Sequence, residues 1–216
     1  SQDNIVRFRQ TLSDAMKLVF LLTIPAACGL IVLGEPIIAL IYQGGRFTGF
    51  DTNMVAWALA AYSIGLAGYA AIKVLSPSFY ALDDARTPMY VSLASIAIHA
   101  PTSFGMMYLL SGVGVTPERP NGFGHVGVAL ATSTVALVNF IALTFLMRKK
   151  IGRLNGRDIV AALSRILLAS AAMSAVCYFS YRYLTEFFPE KNFLIRAAEA
   201  FVPIALGGGV FLGMAK

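Results

Sequence analysis

Six long apolar runs occupy most of this 216-residue sequence, and they constrain its fold more than any other feature. The runs cover residues 15–42, 53–82, 88–110, 124–147, 158–184 and 193–215. About 20 helical residues cross a hydrocarbon core about 30 Å thick, and each run exceeds that length. Lipid offers no hydrogen-bond partner to an exposed backbone group, so each run is predicted to be an α-helix. The predicted fold class is all-α, a polytopic membrane protein with six transmembrane helices.

The composition agrees with a lipid environment. Hydrophobic residues make up 57% of the chain and charged residues 13%, whereas a soluble domain is about half apolar and a quarter charged. So few charges cannot cover a water-facing surface. The net charge of +6 does not indicate nucleic acid as a partner, because the basic residues lie between the apolar runs and form no continuous face.

The distribution of basic residues predicts the orientation in the membrane. Six spans place both termini on one side, and that side carries eleven of the 17 basic residues: Arg7, Arg9, Lys17, Arg86, Arg148, Lys149, Lys150, Arg153, Arg157, Arg165 and Lys216. The opposite loops carry five: Arg46, Arg119, Arg182, Lys191 and Arg196. The positive-inside rule therefore predicts that both termini are cytoplasmic. The basic segment after Met147 is the only internal boundary, dividing the chain into residues 1–150 and 151–216.

The first run contains unusual backbone signals. Residues 1–14 are polar and basic, and they are predicted to lie at a membrane surface. Pro25 lies inside the run and Pro36 near its far end, so we expect a kink or a broken helix. Glu35 precedes Pro36, and it is interpreted as an interfacial carboxylate at a helix break or as one half of a gating pair with Arg46. Residues 43–46 are predicted to form a turn.

Polar residues on the third run form one helical face: Ser92, Ser95, His99 and Ser103. Polar groups inside a membrane are costly and are the first candidates for sites in a transporter. His99 lies near mid-span, where its imidazole could bind a cation or carry a proton. The alternative is a neutral histidine that hydrogen-bonds to a neighbouring helix.

A second polar stripe lies on the second run and comprises Tyr62, Gly65, Tyr69, Lys73 and Ser76. Lys73 either extends its ammonium group towards the lipid headgroups or faces an internal cavity.

The short polar connection that follows the second run is predicted to be a structured turn. Asp83, Asp84 and Arg86 are expected to cap and position it, and Pro88 opens the next helix. A role for these residues as a gate contact is the weaker alternative. The glycine run 207–209 is interpreted as a close helix contact and not as a phosphate loop.

No catalytic set of Ser, His and Asp or of Cys and His is visible, and no nucleotide-binding motif or metal-ligand spacing occurs. Cys28 and Cys177 lie inside apolar runs and are interpreted as small apolar fillers. We therefore predict that the chain is not an enzyme and has no cofactor or metal. Any energy must come from an ion gradient or from the membrane potential, and protons, sodium and the potential itself all stay open.

Four segments resemble one known family. Residues 73–88, KVLSPSFYALDDARTP, resemble the pattern in which a helix ends at P-x-F-Y-A and a D-x-x-T-P turn opens the next. Residues 24–36 resemble a proline-broken helix, residues 45–51 the loop after it, and residues 127–133 the start of a later helix. These patterns are similar to those of the MurJ (MviN) family of bacterial flippases, in the multidrug/oligosaccharidyl-lipid/polysaccharide exporter superfamily.

The resemblance implies a fold and an activity. The six spans would correspond to the last six of a fourteen-helix, two-lobe flippase of the bacterial inner membrane. Such proteins move lipid II, the undecaprenyl-pyrophosphate-linked peptidoglycan precursor, by alternating access. Residues 1–150 would belong to the transport lobe, and residues 151–216 would form two helices with an apolar groove for the lipid tail. The implied partners are lipid II, membrane lipids and the upstream helices, which carry the arginines that meet the pyrophosphate.

The resemblance also assigns roles to single residues. A cavity-facing Lys73, with Tyr69 and Tyr62 on its stripe, would attract the pyrophosphate. The sodium site of some relatives uses an Asn and an Asp at the positions of His99 and Ser103. Neither residue supplies a carboxylate here, so coupling to protons is the hypothesis that fits His99. The matching partner on the fourth span is Thr132, together with the carbonyl of Val128, unless Thr132 only bonds to its own helix.

Two other functions remain open. One is a related exporter of another lipid-linked sugar or of a drug, which differs by its upstream cavity residues. The other is a membrane scaffold for cell-wall enzymes, in which substitutions facing the cavity would be silent.

Overall fold

The computed structural model describes residues 2–113, 122–152, 156–187 and 193–214. These residues form six α-helices: α1 (Gln2–Tyr42), α2 (Gly49–Tyr80), α3 (Arg86–Ser111), α4 (Gly124–Ile151), α5 (Gly156–Phe187) and α6 (Phe193–Met214). All six are long and apolar enough to cross a membrane. The predicted all-α, six-span fold is therefore confirmed. Ala215, the predicted end of the sixth span, lies outside the described residues, as do Arg119, Arg153, Lys191 and Lys216 of the charge distribution.

Helix α1 corrects two predictions about the first run. It begins at Gln2, and it continues for 41 residues through both Pro25 and Pro36. Leu12 is buried in the main core, so the segment before residue 15 packs as part of the helix. The predicted broken helix is therefore wrong, whereas the alternative, a kink, stays a prediction. Helices α2, α5 and α6 pack along α1, and such neighbours allow a membrane helix to continue through a proline.

The connection between α1 and α2 is a tight turn, as predicted for residues 43–46. Gly44 and Phe47 form an isolated β-bridge, and Gly45 has a φ of +58°, a conformation that glycine adopts without strain. Thr48 then caps α2: its hydroxyl accepts from the Asp51 backbone N–H, and the Asp51 carboxylate accepts from the Thr48 N–H. This reciprocal capping fixes where α2 begins.

The main hydrophobic core lies between α1, α2, α4 and α5. Its largest fully buried side chains include Phe79, Leu75, Leu143 and Met147. Ile166 of α5 belongs to the same cluster, so the fifth helix shares the core of the four helices before it. The division at residue 150 stays a prediction.

Helices α5 and α6 pack against each other and against α1. At Gly207 of α6, an added Cβ would collide with Sγ of Cys177 on α5, whereas Gly208 and Gly209 face open space. The Cys177 thiol also donates to the carbonyl of Pro203 at 3.2 Å. The predicted close helix contact in the glycine run is thus formed by Gly207.

Helix α3 lies at the edge of the bundle. It packs mainly on α4, and no residue is buried in its most hydrophobic 18-residue stretch. Helix α4 is therefore the neighbour that positions the polar face of α3, and the candidate site lies where these two helices meet.

Candidate functional site

The polar face of α3 meets α4 at His99 and Thr132. Nε2 of His99 lies 3.1 Å from Oγ1 of Thr132, and both side chains are partly buried. Thr132 also donates its hydroxyl proton to the carbonyl of Val128 at 3.0 Å. The structure thus brings together His99, Thr132 and the Val128 carbonyl, which the sequence had placed on two different spans.

The direction of the hydrogen bond between His99 and Thr132 depends on the tautomer of the histidine. The Thr132 hydroxyl has a single hydrogen, which is donated to the Val128 carbonyl. Its oxygen can then accept from Nε2 in the tautomer that carries the proton there, and Nδ1 of that neutral ring is an acceptor.

Ser103 lies one turn further along the same face of α3. Its Oγ is shielded from solvent and has no hydrogen-bond partner among the described residues. Asn139 of α4 also has a buried, unpartnered Oδ1. Both groups keep unused hydrogen-bonding capacity inside an apolar bundle, where such capacity is costly.

The second predicted stripe divides into a buried and an exposed part. Gly65 faces α4, because a Cβ there would lie 2.6 Å from Cα of Ser133. Tyr62 is 47% exposed, Tyr69 is 44% exposed, and Lys73 is also exposed. The three side chains lie at i, i+7 and i+11, on one face of α2 that the described helices leave uncovered.

Glu35 and Arg46 do not form the predicted pair. Both side chains are exposed, and no ion pair joins them in the described part of the chain. Arg46 belongs to the turn after α1, whereas Glu35 lies within the unbroken helix, next to the buried Pro36. The helix therefore holds Glu35 two turns away from the turn that carries Arg46.

The turn between α2 and α3 is organised by Asp84. Its carboxylate accepts from the Thr87 N–H at 3.0 Å, from the Thr87 hydroxyl at 2.8 Å and from Nζ of Lys150 at 2.7 Å. Lys150, followed by Thr87, holds the pKa of Asp84 well below its usual range. The predicted structured turn is confirmed in this form, and the ion pair with Lys150 of α4 is new.

The other residues predicted for this turn have smaller parts. Asp83 adopts a positive φ of 56°, which lets the chain reverse. Pro88 is buried in the first turn of α3, as expected for a helix opening. Arg86 is exposed and makes no ion pair among the described residues.

Glu199 of α6 is a feature that sequence reasoning missed. It is 4% exposed, and its Oε1 has neither solvent contact nor a hydrogen-bond partner in the described chain. It acts electrostatically on Tyr181 of α5, as does Glu35 of α1. Arg196, one turn before it, donates to the carbonyl of Gln43 at 2.8 Å. The available signal was an acidic residue inside an apolar run.

An apolar groove runs along the seam where α1, α5 and α6 meet. Its cavity volume is about 390–440 Å³ at each of two positions along the seam. The larger part has no charged residue in its lining, which includes Pro25, Gly29, Leu33, Met173, Gly208 and Phe211. The groove is open to the side, as a site for a chain-like apolar ligand must be. Among the described residues, no group of three or more His, Cys, Asp or Glu side chains is placed to hold a metal ion.

Comparison with known proteins agrees with these observations. Residues 1–198 match the family model described as lipid II flippase MurJ. A probable lipid II flippase MurJ from Rickettsia prowazekii is 30% identical over 214 residues, which cover 99% of this chain and 39% of the relative. A lipid II flippase MurJ from Thermosipho africanus is 34% identical over 142 residues, covering 64% of this chain and 26% of the relative.

A solved structure shares the arrangement of the helices. It is titled lipid II flippase MurJ, inward closed conformation, and it matches with a TM-score of 0.65 and 27% sequence identity. The match covers 97% of this chain and 40% of that chain. Nearly all of this chain is matched in the Rickettsia relative and in the solved structure. The chain spans about two fifths of the length of each of these two proteins.

Proposed function

Because this chain belongs to the MurJ family of lipid II flippases, we propose that it takes part in moving lipid II across the bacterial inner membrane by alternating access. In this proposal the six helices correspond to the last six of the fourteen-helix flippase, and the upstream helices complete the cavity. The match over residues 1–198 is the observation that carries the proposal. The role is transport, with no chemical conversion of the lipid.

The groove between α1, α5 and α6 supports a place for the lipid tail. Its lining is almost entirely apolar, so it suits a prenyl chain that would otherwise lie in the bilayer. Helices α5 and α6, to which the family resemblance assigns this role, form two of its three walls. Helix α1 supplies the third wall, which the sequence did not predict.

The proposed headgroup face is the exposed stripe of Tyr62, Tyr69 and Lys73. A single ammonium group at that depth attracts a pyrophosphate more strongly than it would in water, because the local dielectric is lower. Extension of Lys73 towards lipid headgroups remains the alternative. The variant Lys73→Ala distinguishes the two roles. Unchanged lipid II flipping would favour extension of Lys73 towards the headgroups of the membrane lipids.

Coupling is proposed to act through His99. Its Nε2 contact with Thr132 joins α3 to α4. A second proton on the imidazole ring would add a positive charge at this helix–helix contact. Ser103 and Thr132 supply hydroxyl groups, but no carboxylate is present at this contact. Proton coupling therefore fits the site better than sodium coupling.

The orientation in the membrane is a separate proposal. The eleven-to-five distribution of basic residues supports cytoplasmic termini. Labelling of single cysteines introduced in the turn at residue 45 and in the turn at residue 84 would place those turns on opposite sides. Labelling of both from the same side would contradict the six-span topology.

A depletion strain tests the function directly. The full-length gene should restore growth to bacteria depleted of their own lipid II flippase. Gly208→Phe should abolish rescue by filling the groove, because an added Cβ at Gly208 meets nothing within 4 Å and need not disturb the fold. Gly209→Phe is the matched control, since Gly209 also faces open space but does not line the groove.

Three results would count against the proposal. Failure of the wild-type gene to rescue would reject lipid II as the substrate. Equal effects of the two phenylalanine variants would reject the groove as the tail site. Rescue by both variants would do the same.

A further inference from the structure

One end of the α1–α5–α6 seam carries charge. A pocket of about 390 Å³ there is lined by Lys17 of α1 and Arg165 of α5 at its rim, with Asp14 beside them. Its floor is apolar and includes Leu21, Ile166 and Ala169. Two cations over an apolar floor form an amphiphilic site. A groove that holds only a lipid tail would not need these charges.

The charges at this rim do not cancel. Lys17 donates to Asp14 at 3.1 Å, in an ion pair between neighbouring turns of α1. Arg165 makes neither an ion pair nor a hydrogen bond within the described ranges. With two cations and one carboxylate, the rim carries a net charge of one positive unit.

The pocket also has the depth of a membrane interface. Lys17 lies two residues after the start of the first apolar run, and Arg165 lies two turns after the start of the fifth. Met214, the last residue of α6, lines the same pocket. The apolar seam continues from Leu21 and Ala169 towards Pro25 and Met173, one turn deeper on each helix. An occupant that fits both parts has an anionic head at the interface and an apolar chain directed into the bilayer.

We propose that this pocket binds an anionic membrane phospholipid, whose phosphodiester lies between Lys17 and Arg165 and whose acyl chain enters the seam. The single net positive charge of the rim matches the single negative charge of a phosphodiester such as phosphatidylglycerol. A basic pocket between membrane helices is a known kind of headgroup site. The lipid would join α5 to α1. Its acyl chain would occupy the seam proposed for the lipid II tail, so binding is measured without lipid II.

The test measures lipid binding to the full-length protein in a neutral detergent. Phosphatidylglycerol and phosphatidylcholine are titrated separately, and bound lipid is counted by native mass spectrometry. The wild type should prefer phosphatidylglycerol. Arg165→Gln should weaken that binding about five-fold, and Lys17→Gln with Arg165→Gln about 25-fold, since each basic group near a lipid surface contributes a factor of that size.

Two further variants make the result specific. Arg148→Gln is the matched control, because Arg148 is exposed and basic but does not line the pocket; it should change the affinity by less than about two-fold. Asp14→Asn should strengthen binding, because it removes the one negative charge at the rim.

Several outcomes would overturn the proposal. Equal binding of the two lipids by the wild type would show that the basic rim does not select an anionic headgroup. Equal losses of phosphatidylglycerol affinity in the Arg165 and Arg148 variants would show that binding depends only on the general surface charge. Competition by inorganic phosphate at the same concentration as the lipid would show an anion site with no part for the acyl chain. None of these outcomes depends on transport activity.

Discussion

Helix α4 contacts α2 and α3 in two different ways. Towards α2 it presents small residues: the Ser133 hydroxyl donates to the carbonyl of Ala61 at 2.6 Å, and Gly65 allows the two backbones to approach closely. Towards α3 it presents Gly127, which lies against the carbonyl of Met106, and Thr132, which meets a partly buried histidine. The first contact is buried and uncharged, whereas the second contains a group that can gain a proton.

The α2–α4 contact is therefore expected to be rigid, and the α3–α4 contact is expected to be the more adjustable one. Backbone proximity and a buried hydrogen bond leave the α2–α4 contact with one favourable arrangement. Helix α3 packs on α4 as closely, at Gly127, but it has almost no other neighbour among the described helices, so we expect it to shift on α4 more easily than α2 does. A transporter that alternates between two states needs contacts of both kinds.

The largest effect is expected from Gly65→Leu. A Cβ at this position would lie 2.6 Å from Cα and 2.8 Å from Oγ of Ser133, so the two central helices must separate. We expect a loss of about 3 kcal/mol in the free energy of unfolding, measured by denaturant titration in detergent. Gly105→Leu is the control, because nothing lies within 4 Å of that Cβ. Equal losses in both variants would show that α2 and α4 are not fixed together.

A smaller loss is expected from Gly127→Leu. An added Cβ would collide with the carbonyl of Met106 on α3, but α3 lies at the edge and can move outwards. We expect about 1–2 kcal/mol by the same titration. If this loss matched that of Gly65→Leu, α3 would be as fixed as α2, and the comparison would fail.

His99→Gln should affect pH dependence more than stability. The glutamine amide can still donate to Thr132, so the free energy of unfolding should change by less than about 1 kcal/mol. The pH profile of lipid II transport should flatten, because the titratable ring is absent. Transport is followed in vesicles between pH 5 and 8, with His125→Gln as the control. An unchanged profile for His99→Gln would reject proton coupling through this residue.

The smallest effect is expected from Lys150→Gln. It removes the exposed ion pair between α4 and Asp84, and it should lower the melting temperature by about 1–2 °C. Lys150 holds the pKa of folded Asp84 well below the ordinary value of 3.8, so the contact contributes fully above about pH 4 and is lost only as the pH falls through the much lower pKa of the folded state. The difference between variant and wild type should therefore be constant from pH 5 to 8 and shrink only when the pH falls well below 4. A difference that grew above pH 5 would contradict this assignment.

The sequence predicted the helices well because their length and hydropathy are local properties. The ends of α2, α3 and α4 lie within a few residues of the predicted ones. The prediction of a broken α1 failed, because a proline breaks a helix only where nothing else holds the backbone. The neighbours that hold α1 at Pro25 and Pro36 are distant in sequence, so no local pattern could reveal them.

The site was predicted in part. His99, Ser103 and Thr132 were identified from their spacing and from the family resemblance, and the structure places His99 against Thr132. Glu199 was missed because it was read as part of an apolar run, and its burial depends on helix packing. The Asp84–Lys150 pair joins residues 66 positions apart, and only the folded chain brings them together.

The unbroken α1 has a mechanical consequence. Its 41 residues extend about 60 Å, twice the thickness of the hydrocarbon core. If α1 tilts as one body, a rotation of about 5° about its middle would move each end by about 2.5 Å. Both α2 and the pair α5 and α6 pack on this one helix, so such a tilt would displace all three of its neighbours.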